Sequence, residues 1–151
     1  MILTSNIEFK GVSQRTFIYD VKENDWNEGP SLLTPRWRHT SCTIQSEDGS
    51  TKSIIIIGGW NDQAKISKTT EILHIKGSKW VQGPELPLGV RNASCVELPP
   101  TSSFACVLIG GYTEKGRYSS DVYGLNKRLT EWIHLGKIQE ARRSHIALPI
   151  S

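Results

Sequence analysis

A chain of 151 residues with 37% hydrophobic and 22% charged residues can bury one core and is too apolar for a disordered tail. Its 18 basic and 15 acidic residues leave a net charge of +3, scattered along the chain, which argues against the clustered basic stripe of a nucleic-acid binder. No apolar run approaches the roughly 18 residues of a membrane helix, and "MILTSNIEFKG" has neither the basic start nor the long apolar centre of a secretory leader.

In chain order, the first landmark is "DWNEGPSLL", in which Trp26 precedes a Gly-Pro turn. The next segment, "RHTSCTIQ", predicts a strand, and "SEDGSTK" after it carries the Asp48-Gly49 pair of a hairpin turn. "SIIIIGG" then sets four isoleucines in a row. A strand with one wet face alternates, so a β-branched run without alternation predicts a strand covered on both faces. Gly58-Gly59 ends it where the chain bends away. The polar loop "WNDQAKISK" leads to a third strand, "TTEILHI", and the turn at Gly77-Ser78 leads to a fourth, "SKWVQG".

The same order then returns. Gly110-Gly111 follows "VLI" as Gly58-Gly59 follows the isoleucines, an offset of 52 (110 less 58), and an aromatic residue, Tyr112 or Trp60, comes next. "SSDVYGL" stands for "TTEIL" and "EWIHLGKIQ" for "KWVQGPELP". Trp26, Trp80 and Trp132 recur in register, as large side chains packing one unit on the next should. Arg36, Arg91 and Arg142 each open a new segment, two of them as Arg-x-x-His with His39 and His145, while Ser94 takes the third histidine's place. On this alignment Cys42 and Cys95 fall at matching positions. A unit of this length with four short strands has the size of a propeller blade.

The order of apolar run, Gly-Gly-aromatic, acid-containing strand, Trp, Gly-Pro-x-Leu and Arg-x-x-His resembles the kelch repeat of β-propeller proteins over nearly the whole chain. The first unit departs from it, with Thr4-Ser5 where the glycines would stand, and the third replaces Gly-Pro-Glu-Leu-Pro by "LGKIQ". The resemblance implies an all-β, kelch-type propeller region over residues 1–151, divided into a partial blade 1–35, blades 36–90 and 91–141, and the first strand of a following blade at 142–151. That makes about three four-stranded blades, whereas closed propellers have about four to eight. The expectation is a fragment of a larger propeller, with self-association of copies as the other way to close a ring.

Catalytic signatures are missing. His39, His74, His134 and His145 have no metal-like spacing, and there is no G-x-S-x-G, H-E-x-x-H or phosphate-cradling loop. His39 and His145 read as histidines hydrogen-bonded within their blades. Cys42, Cys95 and Cys106 read as core cysteines, and three cysteines without a CxxC fit reduced thiols in a cytoplasmic or nuclear protein. No catalytic residue, metal or cofactor is assigned. The kelch resemblance implies a scaffold that binds a protein or peptide partner on its loop face, as the substrate-recognising part of a ubiquitin ligase adaptor or on actin. The alternative is part of a propeller enzyme resembling galactose oxidase or sugar epimerases, but Tyr19, Tyr112, Tyr118 and Tyr123 form no evident copper-ligand cluster.

The residues assigned to partner binding are Arg36, Arg38, Trp60, Arg91, Asn92, Tyr112, Arg142 and Arg143. They follow the paired glycines or the Gly-Pro turns, which in a propeller can converge on one rim. Clustered guanidinium groups there would favour an acidic peptide through charge-assisted, often bidentate hydrogen bonds. Trp37 adds an aromatic residue with no repeat counterpart in this alignment.

Overall fold

The computed structural model describes residues 2–8, 11–46, 49–50, 52–63, 65–75 and 77–150, with the side chains of 2–8 left aside. Asp48 of the expected hairpin turn lies outside these residues; next to it, the Gly49 amide donates to the Ser46 carbonyl at 2.9 Å, with Gly49 at φ 70°.

The described residues form antiparallel sheets and no helix. The first sheet has three strands: β1 (Ile2–Glu8), β2 (Gly11–Asp20) and β3 (Asp25–Glu28). Thr4 and Ser5, aligned by sequence with the paired glycines, instead pair with Phe17 and Thr16 inside this sheet, at the places that Ile56 and Ile57 hold opposite Glu71 and Thr70. Next come β4 (Arg36–Trp37), β5 (Thr40–Gln45), β6 (Lys52–Ile57), β7 (Trp60–Asn61), β8 (Thr70–His74) and β9 (Val81–Gln82). Strands β5-β6-β8-β9 make the second sheet, while β4 and β7 pair separately as a two-stranded ribbon. The pattern repeats with β10 (Val90–Arg91), β11 (Ser94–Glu97), β12 (Phe104–Ile109), β13 (Tyr112–Thr113), β14 (Asp121–Asn126) and β15 (Trp132–Lys137). Here β11-β12-β14-β15 form the third sheet and β10-β13 the second ribbon. Among the described residues no sheet closes on itself.

The isoleucine run behaves as its lack of alternation predicts. Ile54 and Ile56 pack with Leu32, Leu73 and Trp80 on the side of the first sheet. Ile55 and Ile57 join Ile44, Ala105, Cys106, Leu108 and Trp132 on the side of the third. Each of the four is at most 9% exposed, and burial of such a side chain is worth about 1.5–3 kcal/mol. The tryptophans tie one sheet to the one before it. Trp80 Nε1 donates to the Pro30 carbonyl at 2.8 Å and Trp132 Nε1 to the Pro84 carbonyl at 3.1 Å. Trp26 departs from this: it lies on the outer strand of the first sheet, 51% exposed, its ring tilted against Tyr19 at 5.0 Å, with no sheet among the described residues on that side.

Three other expectations are corrected. The strand of "RHTSCTIQ" starts two residues late, at Thr40 as β5, because Arg38 at φ 55° sets it apart from β4. No strand forms over residues 142–150. The third correction concerns register. Gly59 donates to the Val90 carbonyl and Gly111 to that of Arg142, both at 2.8 Å, and Thr40 opposite Ile57 matches Ser94 opposite Ile109. Arg36 therefore corresponds to Val90 and Arg142, and Trp37 to Arg91 and Arg143. Trp37 does have counterparts, the boundary at residues 90 and 91 falls inside β10, and Cys42 and Cys95 stand one position apart rather than in register.

Candidate functional site

Each ribbon is built by the glycine pair. Gly58 and Gly59 take φ 62° and 94°, and Gly110 and Gly111 take 65° and 101°, a left-handed backbone that turns the chain back across the entrance of the sheet. A Cβ on Gly58 would collide with the Val90 carbonyl. The residue after the glycines is thereby laid against one that stands just before the first strand of the same sheet: Trp60 opposite Trp37, and Tyr112 opposite Arg91.

These two ribbons and the segment after β15 place their side chains in one continuous stack. The Arg38 guanidinium lies over the Trp37 ring at 4.2 Å, and Trp37 stacks on Trp60 at 5.5 Å. Arg91 sits between Trp60, at 5.0 Å, and Tyr112, at 4.6 Å. Arg143 reaches both Tyr112, at 5.4 Å, and Tyr118, at 5.2 Å, while the two tyrosines meet edge to face at 5.7 Å. Backbone bonds hold the three turns in line: the Asn92 amide donates to the Arg38 carbonyl at 2.9 Å, and the Ser144 amide to the Asn92 carbonyl at 2.8 Å. Arg38, Asn92 and Ser144 are also the three left-handed non-glycine residues of these turns.

Charge in the stack has one sign. Burial first, then the nearby Arg38 and Arg143, push the Arg91 pKa below the usual arginine range, with Tyr112 working against them. Its Nη1 donates to Asn92 Oδ1 at 3.1 Å, and its buried Nε has no hydrogen-bond partner. Beside Trp60 opens a groove of about 530 Å³, flanked by Asn61, Lys65, Ile66, Lys68 and Glu114.

Of the residues assigned to partner binding, Arg38, Trp60, Arg91, Asn92, Tyr112 and Arg143 come together here. Two do not. Arg36 is fully buried, with Nη1 donating to the Gly58 carbonyl at 2.7 Å and Nη2 to Glu71 Oε1 at 2.6 Å, so it serves the interior of its own sheet. Arg142 turns to Glu140, 3.5 Å away, on its own exposed segment. The histidines also differ from expectation. Neither His39 nor His145 lies in a strand, and the buried ring nitrogens of His145 make no hydrogen bond; that ring instead lies against Gly110.

Tyr118 was missed by the sequence reading, although a signal existed. It bridges back to Tyr112 across six residues, as Ile66 bridges to Trp60, so the post-glycine loop returns at the same distance in both units.

No protein-family model matches the chain, and the curated proteins contain no match to it.

Proposed function

We propose that this chain is the interaction region of a kelch-type β-propeller, and that its arginine–aromatic stack binds an acidic segment of a partner protein. The observation that carries this reading is the interleaving of Arg38, Arg91 and Arg143 with Trp37, Trp60, Tyr112 and Tyr118. Aromatic and arginine side chains in a partly desolvated patch are the residue types that anchor protein interfaces. Stacking holds each guanidinium face against a ring and leaves its edge N–H groups for carboxylates. Support for the propeller comes from the Gly59–Val90 and Gly111–Arg142 bonds, which relate successive units through the same atoms. A ubiquitin ligase adaptor or an actin-binding module would both use such a surface. Three cysteines without a disulfide are compatible with a cytoplasmic or nuclear setting.

The test is titration of the chain with glutamate- and aspartate-rich peptides, followed by tryptophan fluorescence and calorimetry. Binding that weakens with salt and drops about tenfold in Arg38→Ala and in Arg143→Ala, each worth about 1.4 kcal/mol, is the expected result. Equal affinity for acidic and basic peptides would sink it. The oligomeric state, measured by light scattering, separately tests whether copies associate to complete a ring.

A further inference from the structure

Away from the stack, the interface between the second and third sheets holds a cluster that the sequence alignment disguised. Cys42 on β5 lies opposite Ile55, and Cys95 on β11 lies opposite Leu108. Counted from the equivalent residues Thr40 and Ser94, Cys42 is two positions on and Cys95 one. Because side chains alternate between faces along a strand, a one-residue difference turns the two thiols to opposite faces of their sheets. The second and third sheets pack through those very faces, so the thiols meet: Cys42 Sγ and Cys95 Sγ are 2.6 Å apart. Cys106 on β12, fully buried, completes the group, with all three sulfurs within 4.8 Å of one another. Among the described residues, no other group of three histidine, cysteine or carboxylate side chains converges this closely.

We propose that Cys42, Cys95 and Cys106 form a three-thiolate site for zinc or a similarly thiophilic d¹⁰ ion, clamping the second sheet to the third. A zinc–thiolate bond of about 2.3 Å sets sulfurs about 3.8 Å apart in a tetrahedral site. The cluster lies within that range once the Cys42–Cys95 pair opens by about an ångström, a χ1 adjustment in two half-buried side chains. Soft sulfur ligands select such ions over calcium or magnesium. Cys42 and Cys95 are half-buried and Cys106 is fully buried, so the ion would enter past the first two, and water would supply the fourth ligand. Binding releases the thiol protons to solvent, since the ligands are thiolates.

The experiment uses the whole chain, purified under reducing conditions and stripped with a chelator. Titration with Co²⁺ should give a sulfur-to-metal charge-transfer band saturating at one equivalent, which Zn²⁺ then displaces. Zinc should also raise the thermal unfolding midpoint. Cys42→Ser, at a half-buried site that tolerates the change, should weaken binding at least tenfold, and His74→Asn should leave it unchanged. X-ray absorption on the zinc-loaded native chain counts sulfur ligands without any variant, and three are expected. Two or fewer sulfurs would overturn the proposal. So would cobalt binding that persists when all three cysteines are replaced by serine, or a native Cys42–Cys95 disulfide that resists reduction.

Discussion

Arg36 and Glu71 form a buried ion pair in the second sheet, at 2.6 Å, and at the corresponding places of the third sheet both are gone together, replaced by Val90 and Tyr123. Both charged side chains are at most 2% exposed, and the Glu71 carboxylate also accepts the Leu33 and Thr34 amides at 2.7 and 3.0 Å. In the third sheet, Val90 and Tyr123 line a small cavity with Gly110 and Asp121, the counterparts of Gly58 and Thr69 that Arg36 binds. Removing one partner of such a pair strands a buried charge, whereas removing both with apolar replacements is often nearly neutral. Arg36→Val alone should therefore cost about 3–5 kcal/mol, and Arg36→Val with Glu71→Tyr should recover part of it. Urea unfolding of the single and double variants measures this, and an additive double variant would contradict it.

The tryptophans should divide by position rather than by repeat. Trp80 is 2% exposed and bonded to Pro30, while Trp26 is half exposed. Trp80→Ala is expected to cost about 3–5 kcal/mol and Trp26→Ala about 1 kcal/mol or less. Comparable losses at both sites in thermal or chemical unfolding would show that Trp26 is packed in solution, as it would be by a neighbouring sheet.

Stability should fall in mild acid through His39. Burial, and secondarily the positive charge of Arg36, lower its pKa from 6.5 to about 4. The folded state thus holds His39 neutral where the unfolded chain would protonate it. The contribution is fully present above pH 6.5 and is lost as pH falls from there towards 4, by no more than about 3 kcal/mol. As pH falls across that window, the unfolding free energy of the native chain should drop relative to that of His39→Gln. A slope unchanged by the substitution would assign the acid sensitivity elsewhere.

Two left-handed glycines should respond differently to the same substitution. Gly58→Ala meets both the strain of φ 62° and the Val90 carbonyl, whereas Gly116, at φ 75°, has only the Tyr112 hydroxyl within 4 Å of an added Cβ. Gly116→Ala should cost about 1 kcal/mol, and Gly58→Ala distinctly more, because backbone must move to admit it. Unfolding midpoints of the two variants compare them directly.

The aromatic rim was partly legible before any coordinates. Trp60 and Tyr112 stand after paired glycines, and Arg38 and Arg143 are additional to the repeated arginine, so sequence position alone nominated them. Arg36 and Arg142 were nominated by the same logic and lie elsewhere. An arginine at a strand entrance can turn inward to a carboxylate such as Glu71 or outward to a ring, and linear spacing does not record which.

The sequence by itself determined the four strands of each repeated sheet, though not the short ribbons, their repetition at about 52 residues, and the two-sided burial of the isoleucine run, because these follow from local periodicity and from residues whose backbone preferences are strong. Only the tertiary structure decided register. Loops of unequal length let Val90, not Arg91, take the place of Arg36, and in a pleated strand a shift of one residue exchanges the faces. That single-residue difference brings Arg91 between Trp60 and Tyr112, and it turns Cys42 and Cys95 from parallel repeat positions into partners across two sheets.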